Sequence, residues 1–208
     1  MDQRKASGLA WTVALAGLGM AIASFALIVI DRRIDPLPDA DVIDAIVPLG
    51  FSVVGAFIAS RRRENPIGWL FLAIAFIAAA SGLGRGLGVR LMADGHPGAA
   101  AWGAWIENWI SNLIFPDGLL LFLLLLFPNG TLPSRRWRWL FVAGLIFTPI
   151  FSVLSAIDPS PITGAPGFAK VPNPVGVQAL GHTMSANAAI ARAKPTSATL
   201  HASTAAFR

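Results

Sequence analysis

Between residues 9 and 30 the chain reads LAWTVALAGLGMAIASFALIVI, without one charged side chain. A helix crossing the hydrocarbon core of a bilayer needs about 20 apolar residues, and this run supplies them. Arg4 and Lys5 precede it, as they would in a secretory signal peptide. The run is longer than the usual apolar core of about 7–15 residues, however, and Asp31-Arg32-Arg33 stands where a small-residue cleavage site belongs. The segment therefore reads as an uncleaved first span. Composition agrees: 55% of the 208 residues are hydrophobic and 13% charged, against roughly 25% charged in soluble domains.

Four more apolar stretches follow, so the expected fold is all-α, a polytopic membrane protein with about five transmembrane helices. The spans fall at about residues 9–30, 43–60, 66–83, 105–127 and 137–157. Pro48 lies near the outer end of the second, and Pro149 interrupts the fifth. The third has a clear start, because Asn65 can cap free amides and Pro66 suits the first helical position. The fourth leaves two readings open. It is one helix with Asp117 near its middle, or Pro116-Asp117-Gly118 breaks it and leaves the upstream half at the outer interface with Trp102, Trp105 and Trp109. Gly82, Gly84, Gly86 and Gly88 follow an apolar helix without a Lys-Ser/Thr, which suits a flexible span terminus and not a phosphate loop. No internal repeat points to inverted halves.

The net charge is +5, but the basic residues sit in short clusters beside apolar runs, which is the pattern of topology signals and not of a nucleic-acid face. With the N-terminus cytoplasmic, the inner segments carry Arg4, Lys5, Arg61, Arg62, Arg63, Arg135, Arg136 and Arg138. The outer segments carry Arg32, Arg33, Arg85, Arg90 and Lys170, with most of the acids. That balance predicts an inside N-terminus in a plasma membrane. Residues 158–177 then form an outer loop. Residues 178–208, rich in Ala, Ser and Thr, read as a disordered tail, too polar around His182, Asn187 and Arg192 for a further span.

The chain has no cysteine, which excludes disulfides, thiolate metal sites and cysteine nucleophiles. His96, His182 and His201 lack ligand-like spacing, and no catalytic or cofactor motif is present. Catalytic, cofactor and metal sites are all expected to be absent. Glu107, Asn108, Ser111, Asn112 and Asp117 are the polar candidates. Asn108, Ser111 and Asn112 share a helix face, and intramembrane carboxylates raise the idea of an ion path. Neither Glu107 nor Asp117 has an obvious cation partner among the spans.

Two segments carry a family resemblance. Residues 55–72, GAFIASRRRENPIGWLFL, and 122–140, FLLLLFPNGTLPSRRWRWL, resemble the membrane-embedded N-terminal region of actinobacterial-type sensor histidine kinases. Val171-Pro172-Asn173-Pro174-Val175-Gly176 resembles the stretch before the next span in those proteins, so the likeness covers about residues 9–177. It implies a sensor or anchor module of a two-component system. The residues it singles out also have topology and anchoring roles: Arg61, Arg62 and Arg63 hold a loop inside, Asn65, Pro66 and Trp69 open the third span, and Pro128 and Gly130 turn the chain. Ser134 is positioned to cap the fifth helix, and Arg135, Arg136, Trp137 and Arg138 sit at the headgroups. The sixth span, phospho-accepting helix and ATP-binding domain of such kinases are not in this sequence. The resemblance stops near Val177, as a truncated or frameshifted chain would read, and no kinase activity is expected. The expected partners are the bilayer and, by helix–helix association, a second copy or an intact kinase. Gly50, Gly55, Ala56 and Ala59 permit such packing. A small independent five-span accessory protein is the alternative, and a transporter or channel subunit using Glu107 and Asp117 is a third reading.

Overall fold

Pro66 opens the helix against which four of the other five pack. The computed structural model describes residues 3–31, 39–114, 118–162 and 171–177. Its regular elements over these are helices: α1 (Gln3–Asp31), α2 (Asp39–Arg61), α3 (Pro66–Ala93), α4 (Pro97–Ser111), α5 (Leu119–Leu126) and α6 (Trp137–Ile157). One isolated antiparallel bridge joins Ile162 to Val171. Three helices, α1, α3 and α6, are long and apolar enough to cross a membrane. The expected tail and Asp117 lie outside the described residues.

At about 1.5 Å per residue, the 28 residues of α3 span roughly 42 Å, and the helix contacts α1, α2, α4 and α5. Small residues allow that many neighbours. Ala10, Ala14, Ala56 and Ala59 are buried together with Leu72, where α1, α2 and α3 meet. A β-carbon on Gly68 would stand 2.6 Å from the Ala59 amide nitrogen, and one on Gly55 would stand 2.8 Å from that of Leu72. Both distances are shorter than real β-carbons tolerate, so α2 and α3 touch backbone to backbone.

The second half of α3 uses the same device twice. Residues two apart on a helix point to nearly opposite sides, and the four alternating glycines exploit this. Gly82 and Gly86 face Ser24 and Leu27 of α1, while Gly84 and Gly88 face Gly103 of α4. The stretch expected to be a flexible span terminus is thus helix interior, and α3 runs ten residues beyond the expected end at residue 83, to Ala93. Tertiary packing overrides the low helix propensity of glycine here.

The expected fourth span is not one helix. α4 lies antiparallel to the C-terminal half of α3, with Ala101 and Ala104 beside Val89. α5 continues along the N-terminal half, where Leu123 packs with Ile67 and Ile74. Between them the chain tightens: Leu113 N donates to Ile110 O and Ile114 N to Ser111 O. It then reopens with Leu119 N on Leu113 O at 2.8 Å. The described helix ends at Ser111, ahead of Pro116, a residue type without the N–H that a continuing helix would bond to the carbonyl of Asn112. Pro149 has the weaker effect: α6 runs unbroken past it. Among the described residues α6 packs on α4 and α5 and not on the first three helices.

Candidate functional site

The functional candidates fall into two groups, one at an end of the bundle and one along the face of α6. At the end, Asn65 adopts extended backbone and its Oδ1 accepts from Ile67 N at 3.0 Å, the expected cap of α3. Trp69 Nε1 donates to Arg63 O at 3.0 Å, which fastens the arginine loop to the first turn of the helix it precedes. The Arg61 guanidinium lies 5.0 Å above the Phe57 ring. Arg63 and Glu64 approach only to 3.9 Å with Glu64 90% exposed, a contact that water screens almost fully.

The second arginine loop meets the first. After α5 the chain turns at Gly130, whose N donates to Leu126 O at 2.7 Å and whose φ is +76°. A β-carbon there would stand 2.8 Å from Asn65 Oδ1 and 2.8 Å from Pro66 Cδ. Glycine is required twice over, by the left-handed backbone and by the close approach. The contact joins two segments more than sixty positions apart in sequence, and each carries one of the resembling motifs. Ser134 does not cap α6. The cap position is Arg136, without a side-chain hydrogen bond, and Ser134 contributes its carbonyl to Trp137 N at 3.2 Å. The helix starts two residues later than a serine cap requires.

Along α6 the polar residues of α4 find partners. Asn108 Nδ2 and Asn112 Nδ2 both donate to Ser155 Oγ, at 3.2 and 2.9 Å. Asn112 Nδ2 also reaches Asn108 O at 3.0 Å, and Ser111 Oγ donates to the same carbonyl at 3.2 Å. Ser152 Oγ donates to Trp109 O at 2.9 Å, and Trp105 Nε1 to Ala156 O at 2.8 Å. Of the face shared by Asn108, Ser111 and Asn112, the two amides reach across to α6, while Ser111 bonds within its own helix. Glu107 is half-buried and engaged in an interaction of its own.

Sequence reasoning missed Ser152 and Ser155, and it singled out Trp105 and Asn173 without the bonds they make to the end of α6. Ser152 and Ser155 were visible as hydroxyls spaced i, i+3 in the largely apolar second half of α6. Asn173, in the third resembling stretch, closes the end of α6: its Nδ2 donates to Ala156 O and Asp158 O at 3.0 and 2.7 Å, and Val177 N reaches Ile157 O at 2.9 Å. Among the described residues no group of three or more His, Asp or Glu side chains could hold a metal ion. The chain matches no family model, and no curated protein or solved structure matches it.

Proposed function

We propose that this chain is a multi-pass membrane module of the kind found at the input end of sensor histidine kinases, acting as an anchor or sensor without phosphoryl transfer of its own. It crosses the bilayer five times, with the interrupted α4–α5 pair as the fourth passage and the N-terminus in the cytoplasm. The observation that carries this reading is the contact of Gly130 with Asn65 and Pro66. It brings the two resembling segments to one end of the bundle, where the arginine clusters that fix orientation also collect. Hydrogen bonding of Asn108 and Asn112 to Ser155 favours this reading over a transporter, because it commits those amides to packing.

Cross-linking in native membranes, followed by identification of the captured proteins, tests the proposal. A sensor histidine kinase is the expected partner, and the purified chain in vesicles is expected to incorporate no label from γ-labelled ATP. Recovery of the chain alone, together with ion flux through those vesicles, would contradict the proposal and restore the transporter reading.

A further inference from the structure

The end of the bundle built by the two loops carries more positive charge than the protein neutralises. Arg61, Arg62 and Arg63 leave one loop, and Arg135, Arg136 and Arg138 leave the other. The contact of Gly130 with Asn65 makes the two loops one surface. Arg4 and Lys5 begin α1 at the same end, since Ala10 packs near Ala59, and all eight cationic side chains are exposed. Among the described residues, Arg62, Arg135, Arg136 and Arg138 have no ion-pair partner.

The surroundings narrow the class of anion. Interleaved with the second cluster are Trp137, Trp139 and Leu140, at 45%, 80% and 41% exposure. A soluble polyanion would leave these side chains in water. The headgroup layer accepts indoles beside cations, and guanidinium forks match phosphate oxygens two at a time. We propose that this end is a binding surface for anionic phospholipid headgroups, held by Arg135, Arg136 and Arg138 with Trp137 and Trp139 seated just below. The inference rests on the membrane reading above and deepens it: the spans hold the module in the bilayer, and this end selects the charge of the lipids around it.

The test uses the full chain in vesicles and reads tryptophan emission quenched by lipids brominated on the acyl chain. Brominated phosphatidylglycerol is expected to associate more strongly than brominated phosphatidylcholine, by on the order of tenfold at low salt, falling towards equality as salt rises. The variant Arg135→Gln/Arg136→Gln/Arg138→Gln is expected to drop to about a twofold preference, while Arg135→Lys/Arg136→Lys/Arg138→Lys, which keeps the charge and loses the fork, falls between the two. Equal association of the two lipids with the unmodified chain at low salt overturns the proposal, as does displacement of phosphatidylglycerol by inorganic phosphate at matched ionic strength. Strong quenching by both lipids without preference removes the headgroup surface alone. Absence of quenching by either removes the membrane reading as well.

Discussion

The α1–α2–α3 packing and the α4–α6 seam join helices by opposite means. In the first, glycine and alanine let backbones touch, and Ala56 and Ala59 are fully buried. In the second, the side chains are longer and the helices are linked by hydrogen bonds from Asn108, Asn112, Ser152 and Trp105. Close packing gains dispersion over many atoms and tolerates no added volume. Hydrogen bonds between membrane helices average only about 0.6 kcal/mol, because an unfolded chain in the bilayer also finds partners. The difference predicts a stiff three-helix base carrying a more readily detached α6.

The strongest way to break this contrast is Gly68→Leu. The new side chain meets the Ala59 backbone, which cannot swing aside, so the cost is expected to exceed the ~1–3 kcal/mol of ordinary overpacking. Little folded protein should survive detergent extraction, as read by size-exclusion chromatography. Gly130→Ala comes next. Positive φ and the approach to Asn65 together should lower stability by about 2 kcal/mol, measured as a shift in the SDS unfolding midpoint. Ser155→Ala removes the shared acceptor of two amides and is expected to cost about 1 kcal/mol. Hydrogen exchange should then rise in α6 and stay unchanged in α1–α3, and equal loosening of both would erase the contrast. Asn65→Ala removes one cap for about 1 kcal/mol. Glu64→Gln, with its partner screened by water, should leave the midpoint where it is.

Much of this architecture was legible in the residues. The charge-free run at residues 9–30 and the Asn65-Pro66 start appear in α1 and α3 as expected. The alternating glycines misled because their meaning lies in what faces them: without Ser24, Leu27 and Gly103 opposite, glycine signals only a weak helix. A break in the fourth region was one of two readings, and the end of α4 at Ser111, well before Leu119 opens α5, decides it. Ser134 misled by two residues, a displacement that helix ends commonly show. The meeting of Gly130 with Asn65 had no local signal beyond the glycine itself, since it depends on α5 running back along α3.

The shared end of the two arginine loops is open to direct measurement because the chain has no cysteine. Single cysteines at Arg62, Ser134 and Asp94, treated with a membrane-impermeant maleimide in right-side-out and inside-out vesicles, report the side on which each lies. Arg62→Cys and Ser134→Cys should label only from the cytoplasmic face, and Asp94→Cys only from the opposite one. Labelling of Arg62→Cys and Ser134→Cys from opposite faces would contradict the shared end, and with it the five-pass module built on that contact.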